Sequence, residues 1–349
     1  MSYRITTNGL FRAYGGAMRR SQKKVYNNLD RVQTGRTFST FAEDPASAAK
    51  AFRLRRDYWR TDDHLETSNY LLSKFQVAYT AAGAIVNGDD ENPSLDGIKS
   101  SLAGLSDASA SSRRALGNDL SAKADSIVMS MNVRYNEEFV FAGTDGLNVP
   151  FEWGENDTLL YRGIDVNAAT GSEDYARLEK ISDERAYVDI GLGMEEDSNG
   201  NTVENSAFNS TLSGLKFLGF GTDEEGDSLN MVVLMKQLGQ IYSNADPDSG
   251  EYANPEDKER ALVLVGKLHD AINRVQERHV ELSSDSTYLE TNKNLLETAQ
   301  ATLAEQIDDL EQTDEALAIT QFMWAQYSYQ AALQVGTKLL SQSLLDYLH

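Results

Sequence analysis

The longest regular pattern of apolar positions covers residues 255–348, near the C-terminal end of the sequence. An apolar residue stands at every seventh position, ten times in succession, from Ala261 to Trp324. This spacing keeps one helix face turned toward a partner helix. No proline follows Pro255, and only Gly266 and Gly336 weaken helix propensity. The pattern predicts one continuous helix, about 140 Å long. Helices in compact domains average three to four turns, so this length favours a rod-like assembling protein.

Two more helical segments precede the middle of the chain. Asp44-Pro45 combines a capping residue with proline at the first helical position, and Asn87-Gly88 ends the segment that follows. Asn92-Pro93 repeats the device and predicts a third helix that continues to about Arg134. These two antiparallel helices can pack with the long C-terminal helix only if the middle of the chain is an insertion with adjacent ends.

The middle of the chain has strand-like periodicity. Residues 139–144 read as a short strand and turn, and residues 159–163 are predicted to pair with them as a β-hairpin. Residues 187–192 alternate like a half-buried strand, and acidic residues, Asn and Gly crowd the gaps. The pattern therefore predicts a small, acidic, mainly β domain over residues 146–228. Helix is expected again over residues 228–243.

The two ends of the chain carry amphipathic patterns too sparse to form a core. Residues 1–44 hold about ten scattered apolar residues, and Gly35 is expected to end their helix. The far C-terminus is equally marginal, so we expect the two ends to pair, and to be poorly ordered in a free monomer. The predicted assembly interface consists of Ile5, Leu10, Leu29, Val32, Leu317, Trp324, Leu339, Leu344, Leu345 and Leu348.

Composition narrows the classes of function. The chain has 349 residues, enough for two or three domains, and no cysteine, which excludes disulfides and thiolate metal sites. Its four histidines are far apart, without metal-ligand spacing, so we expect no metal. No apolar run approaches 18 residues, so no membrane span is expected. The first residues lack the apolar segment of a cleaved signal peptide, which argues against that one export route.

Charge is distributed unevenly along the sequence. Residues 1–60 hold 13 Lys/Arg against 4 Asp/Glu, whereas the whole chain has a net charge of −22. A basic arm can bind nucleic acid. Here, however, the basic residues alternate with apolar ones at helical spacing, no aromatic platform accompanies them, and an acidic body repels phosphate. The pattern favours a solvated or partner-facing helix surface, and we expect no nucleic-acid partner.

No motif predicts catalysis. Residues 195–201 superficially resemble a calcium loop, but glycine falls at the fourth position from Asp197, and Phe208 stands where a glutamate is required. The segment is predicted to be a turn. Nucleotide-binding and hydrolase motifs are absent from the sequence, and no carboxylate pair stands out as an acid and base. We expect neither an enzyme nor a cofactor.

Motifs at both ends resemble the bacterial flagellin superfamily. They are RITTN at residues 4–8, QTGR at 33–36, EDPA at 43–46, DDLEQTD at 308–314, YQAALQV at 329–335 and SLLDYL at 343–348. Within that superfamily, YNEEFVFAGT at residues 135–144, followed by Pro150-Phe151, resembles the hook–filament junction family, also called the third hook-associated proteins. Val140 departs from that family's more usual leucine. The resemblance covers residues 1–151 and about 255–348.

The resemblance implies a mainly α fold. Its N- and C-terminal segments would form a long antiparallel helical rod, or coiled-coil bundle, with a β-hairpin and a small, mainly β inserted outer domain. Three domains are implied: a terminal coiled-coil assembly domain of residues 1–45 and 305–349, a helical shaft of residues 46–145 and 229–304, and an outer domain of residues 146–228.

The resemblance also implies a function and partners. The chain would be a structural, axial motility protein, exported by the flagellar type III apparatus and located outside the cell in the flagellum. It would form a ring-like homo-oligomer between a hook-side junction protein and flagellin, and an export chaperone is a further candidate partner. Two alternatives stay open: a flagellin subunit of the filament, and an intracellular coiled-coil scaffold.

Overall fold

The computed structural model describes residues 7–88, 93–104, 110–246 and 251–347. The chain divides into two compact units. The central unit is Asp63–Leu296, and the end unit combines Met1–Asp62 with Glu297–His349. The predicted fold class, mainly α with small antiparallel sheets, is confirmed. The finer division into three domains stays a prediction.

The secondary structure of the described residues is mostly long helix. The helices are α1 Thr7–Thr34, α2 Pro45–Asn87, α3 Leu95–Ala103, α4 Ala110–Met131, α5 Glu173–Ser182, α6 Gly214–Leu218, α7 Met231–Ser243, α8 Pro255–Glu311 and α9 Glu315–Tyr347. The strands are β1 Arg134–Tyr135, β2 Glu138–Phe139, β3 Phe151–Trp153, β4 Leu159–Tyr161, β5 Ile164–Asp165, β6 Tyr187–Val188 and β7 Phe208–Asn209. No described helix is both long enough and apolar enough to cross a membrane.

The predicted start of α2 is confirmed. Asp44 Oδ1 accepts hydrogen bonds from the backbone N–H groups of Ser47 at 3.0 Å and Ala46 at 3.1 Å. These bonds, led by those from Ser47, hold the pKa of Asp44 below its ordinary value. Pro45 follows as the first helical residue, where its missing N–H costs no hydrogen bond.

The predicted helix ends are confirmed as well. α1 ends at Thr34, and Gly35 adopts a φ of +66° while its N–H donates to the Arg31 carbonyl at 2.9 Å. α2 ends at Asn87, and Gly88 adopts a φ of +71°. Glycine reaches this left-handed region without steric cost, so both residues stop a helix.

The prediction of one continuous helix over residues 255–348 is wrong at residues 312–314. α8 ends at Glu311, and the backbone of Gln312 turns aside to bridge with Arg36. Asp314 then caps α9, because its Oδ1 accepts the Leu317 N–H at 3.0 Å. The apolar residues keep their spacing of seven across this break, which is why the pattern does not reveal it.

Two other predicted helices have different limits. The helix predicted from Asn92 to Arg134 is two helices, and α3 begins after Ser94, whose hydroxyl accepts the Gly97 N–H at 3.0 Å. Asn92 and residues 105–109 lie outside the described residues. The helix predicted to begin at residue 228 begins at Met231, because the Asn230 side chain caps it.

The predicted hairpin between residues 139–144 and 159–163 is wrong. β2 instead pairs with β1, and β4 lies between β3 and β5 in a three-stranded sheet. The β1–β2 turn consists of Asn136 and Glu137, both with positive φ, as a tight two-residue hairpin turn requires. The strands β1 to β5 therefore each pair with a strand close in sequence. The strand predicted over residues 187–192 is confirmed only as β6, which pairs with β7.

The central unit has a large apolar core. Its fully buried side chains come from helices and from the inserted strands, and include Phe75, Leu95, Ile98, Leu120, Ile127, Met131, Phe141, Phe151, Leu159 and Tyr161. α4 and α7 approach closely where two glycines face each other. A Cβ on Gly117 would lie only 2.8 Å from the Gly239 carbonyl oxygen, so glycine permits this crossing. Buried Asn292 donates to Ser68 Oγ at 3.0 Å and to the Ile190 carbonyl at 2.9 Å, which ties α8 to α2 and to the insertion.

Candidate assembly surface

The end unit is built on the pairing of α1 with α9. Tyr14 donates its hydroxyl proton to the Ala332 carbonyl at 2.8 Å, and Asn28 Nδ2 donates to the Gln321 carbonyl at 3.3 Å. Partner numbers fall on α9 as they rise on α1, so the two helices are antiparallel. The predicted pairing of the two ends is therefore observed over the described part of both helices.

A glycine allows this pair to approach closely. Gly336 on α9 is buried, and a Cβ at that position would overlap the ring and hydroxyl of Tyr14. The sequence pattern identified Gly336 only as a weak point in helix propensity. Its structural reason is the aromatic ring of the opposite helix, a long-range contact that a heptad pattern cannot reveal.

Backbone hydrogen bonds fix the point where the chain leaves α8 and enters α9. Thr37 N–H donates to the Glu311 carbonyl at 2.7 Å, and Thr313 N–H donates to the Gly35 carbonyl at 2.9 Å. The Glu311 carboxylate also forms an ion pair with Arg55 on α2. The break at residues 312–314 is thus held by the segment that follows α1.

The helix pair leaves many of its large apolar side chains in solvent. The side chains buried in α9 are small, such as Ala318 and Ala325, whereas Trp324 is 70% exposed. The exposed apolar face consists of Tyr26 and Val32 on α1 with Leu317, Ile319, Met323, Trp324, Tyr327, Leu333 and Val335 on α9. Large apolar side chains exposed in this number favour an interaction site.

The predicted interface residues are only partly described. Leu317 and Trp324 are exposed, Val32 is 36% exposed, and Leu29 is half-buried. Ile5 and Leu348 lie outside the described residues, as do the side chains of Leu10, Leu339, Leu344 and Leu345. Their assignment to an interface stays a prediction.

Sequence reasoning missed one cluster of carboxylates. Carboxylate oxygens of Asp223, Glu225 and Asp227 lie within 4.8 Å of one another. The Lys267 ammonium lies among them, 2.6 Å from Asp223 and 2.7 Å from Glu225, and it also pairs with Asp227. The hydrogen bond from Lys267 lowers the pKa of Asp223. The carboxylates are close in sequence, but their lysine is about forty residues away, so no local pattern reveals it.

The segment that resembles a calcium loop is a turn, as predicted. Asp197 Oδ1 accepts the backbone N–H groups of Asn199 at 2.8 Å and Asn201 at 2.9 Å. These bonds, led by the one from Asn201, lower the pKa of Asp197. The carboxylate oxygen is thus used by its own loop.

Comparisons with known proteins are informative only at the level of structure. No protein-family model matches the chain, and no curated protein matches it. A solved structure from Vibrio parahaemolyticus, described as a candidate flagellar hook-associated protein, aligns with 77% of this chain and 100% of its own. Its TM-score is 0.53 at 13% identity.

A second solved structure, FlgL of Bacillus cereus, aligns with 73% of this chain and 99% of its own, at 14% identity. Its TM-score of 0.41 is too low to support an inference. The resemblance expected from the sequence motifs is therefore confirmed at the level of the fold: the chain has the fold of the Vibrio hook-associated structure.

Proposed function

We propose that this chain is a structural, axial protein of the bacterial flagellum that joins the hook to the filament. It assembles as a ring of identical subunits through its paired terminal helices, and it has no catalytic role. The observation that carries the proposal is the exposed apolar face of α1 and α9, on a fold similar to that of a flagellar hook-associated protein.

The physical argument rests on what an isolated subunit cannot bury. Trp324, Tyr327 and Leu333 remain in water although α1 and α9 are already paired. Ordering a helix costs conformational entropy, and burial of apolar area is the main compensation. Neighbouring subunits supply that burial, so assembly stabilises the terminal helices.

The proposal implies a place and a set of partners. The chain is exported through the flagellar type III apparatus, with an export chaperone as a candidate partner, and functions outside the cell. One side of the ring contacts a hook-side junction protein, and the other contacts the first flagellin subunits.

Deletion of the gene tests this function. We expect cells that still make hooks but lose flagellin to the medium, as seen by negative-stain imaging and by assay of secreted flagellin. The wild-type gene restores filaments. Filaments of normal length and number in the deletion strain would refute the proposal.

Two variants with matched chemistry test the surface. Trp324→Asp places a charge in the exposed apolar face, whereas Met129→Asp does so at a 75% exposed methionine on α4 of the central unit. We expect only the first variant to fail to restore filaments. Equal function of both variants would contradict the assigned surface.

The same strains distinguish the alternatives. A filament subunit would be a dominant surface protein released by shearing, whereas a junction protein would be scarce. An intracellular scaffold would remain in the cytosol of cells whose flagellar export is active.

A further inference from the structure

The α1–α9 pair contains a positively charged groove. The groove has a volume of about 700 Å³, and its cationic residues are Arg20, Lys24 and Arg31, with Trp324 on the opposite helix. We call this the cationic groove. Its three cations share one face of α1, because Lys24 lies four positions and Arg31 eleven positions after Arg20.

The cations of this groove have no anionic partner within the described part of the chain. Arg20 and Lys24 are exposed and form no ion pair there. The Arg31 Nε is buried and has no hydrogen-bond partner among the described residues. Burying a charged donor without an acceptor costs free energy, so an anionic partner in the groove would be stabilising.

A segment with negative charge unpaired among the described residues lies in the same unit. Glu305, Asp308 and Asp309 lie on one face of the last turns of α8, and all three are exposed. They form no ion pair with a described cation. Glu311, one turn further along, is already paired with Arg55. We call Glu305, Asp308 and Asp309 the acidic segment.

We propose that the cationic groove of one copy binds the acidic segment of the next copy. This inference rests on the proposed function and names the contact between neighbouring subunits. The two patches differ, so the contact is heterologous: each subunit offers its groove to one neighbour and its acidic segment to another. A heterologous contact builds rings or helical arrays.

Charge balance favours a second copy as the occupant. The end unit has 14 Lys/Arg and 13 Asp/Glu, so it is nearly neutral in total, but its cationic groove and its acidic segment carry opposite charges. The central unit is strongly acidic, with 41 Asp/Glu against 18 Lys/Arg. Central units therefore repel one another, while end units attract head to tail. Complementary patches of this kind set the partner and register of an interface.

Charge reversal in a deletion strain tests the contact. Arg20→Glu with Lys24→Glu reverses the groove, and Glu305→Lys with Asp308→Lys reverses the acidic segment. We expect each double variant to reduce the number of filamented cells at least about tenfold. The chain that carries all four changes should recover, because its groove and acidic segment are complementary again.

A matched control separates the groove from overall charge. Arg19→Glu with Lys23→Glu makes the same change at the same spacing on α1, at exposed positions that do not line the groove. This variant should restore filaments like the wild type. Thermal melts of the purified monomers check that every variant is folded.

Cross-linking gives a readout that does not depend on motility. The chain has no cysteine, so single cysteines at Lys24→Cys and Asp308→Cys can be placed in two differently tagged chains. When the two chains are mixed under assembling conditions, the yield of cross-links between differently tagged chains should exceed the yield of cross-links that either chain forms when it assembles alone. The Lys23→Cys chain is the control and should not cross-link to Asp308→Cys.

Each outcome is decisive. If the groove variant restores filaments fully while the deletion strain lacks them, this inference is wrong and the proposed function stands. If the two reversals fail singly and also fail together, the groove binds a different partner and a second copy is excluded. If the deletion strain has normal filaments, the proposed function itself fails.

Discussion

The central and end units use their apolar residues in opposite ways. The central unit buries large side chains such as Phe75, Ile127 and Leu268 almost completely. Among the described residues of the end unit, Phe38 is the one large apolar side chain that is buried, while Trp324 and Leu317 face solvent. The central unit thus completes an apolar core by itself, whereas the end unit leaves large apolar side chains in solvent.

From this difference we expect stability to depend mainly on the central unit, and the proposed assembly mainly on the end unit. A core that fills itself gains nothing from a neighbour, whereas an exposed apolar face gains most of its burial from one. Substitutions in the central unit should therefore change mainly the free energy of unfolding, whereas substitutions in the end unit should change mainly association.

Removal of residues 305–349 should have the largest effect on assembly. The truncation deletes α9 and the acidic segment but leaves the central core intact. We expect no oligomer in sedimentation velocity at any concentration at which the full chain assembles. The melting temperature of the monomer should change by less than about 4 °C. A larger fall would show that α9 stabilises the central core, and the division argued above would be lost.

Two leucines provide the sharpest comparison at single residues. Leu268→Ala in the central core should destabilise the monomer by about 2–5 kcal/mol, because it removes buried methyl groups and leaves a cavity. Leu317→Ala, at a side chain 53% exposed, should cost less than about 0.5 kcal/mol. Urea denaturation measures both values.

Association should show the reverse order for the same two variants. Leu317→Ala should weaken assembly, and Leu268→Ala should weaken it only to the extent that it unfolds the monomer. Equal destabilisation of the monomer by both substitutions would contradict the contrast between the two units.

Much of the fold could be predicted because local rules determine it. Asp44-Pro45 begins α2 and Gly35 ends α1, since capping and left-handed conformations depend on residues within one turn. The antiparallel pairing of the two ends followed from their shared lack of a core. These features need no knowledge of distant contacts.

Some of the features that escaped prediction depend on distant contacts. The break at residues 312–314 exists because Gln312 bridges to Arg36, nearly 280 positions away, while the apolar spacing runs on undisturbed. The hairpin partners were misassigned because the alternation of two short strands does not encode which strand lies beside which. Within the candidate surface, the charge pattern places basic residues on a solvated or partner-facing side of α1, but it does not reveal that they lie beside Trp324.

A pair of glycine substitutions separates close packing from propensity. Gly336→Ala should force Tyr14 away from α9 and cost about 1–3 kcal/mol in the local stability of the helix pair. Gly266→Ala on α8 meets no atom within 4 Å and should stabilise its helix by about 0.4–1 kcal/mol. Hydrogen exchange of the two helices measures both effects.

A rescue variant checks the stated cause. Tyr14→Ala removes the ring that a Cβ at residue 336 would meet, so the combination with Gly336→Ala should recover protection relative to Gly336→Ala alone. If Gly336→Ala leaves the exchange of α9 unchanged, the close approach is not a constraint in solution.

The smallest effect concerns charge within the central unit. Lys267→Met removes the ammonium that Asp223, Glu225 and Asp227 share, so their mutual repulsion is no longer fully offset. The variant should melt below the wild type at neutral pH. Lys258→Met, at an exposed lysine with no ion pair among the described residues, is the control and should melt like the wild type.

The difference in melting temperature between the wild type and Lys267→Met should depend on pH through the pKa of Asp223. Its hydrogen bond with Lys267 places the folded-state pKa below the ordinary value of 3.8. A carboxyl group with a lowered folded-state pKa contributes stability that is complete above its unfolded-state pKa, and loses it as pH falls through the folded-state pKa. The difference in melting temperature between wild type and Lys267→Met should therefore be widest near neutral pH and narrow below about pH 4. A difference that stays constant from neutral to acidic pH would mean that Lys267 acts through the packing of its alkyl chain, and that the carboxylate cluster does not draw stability from its charge.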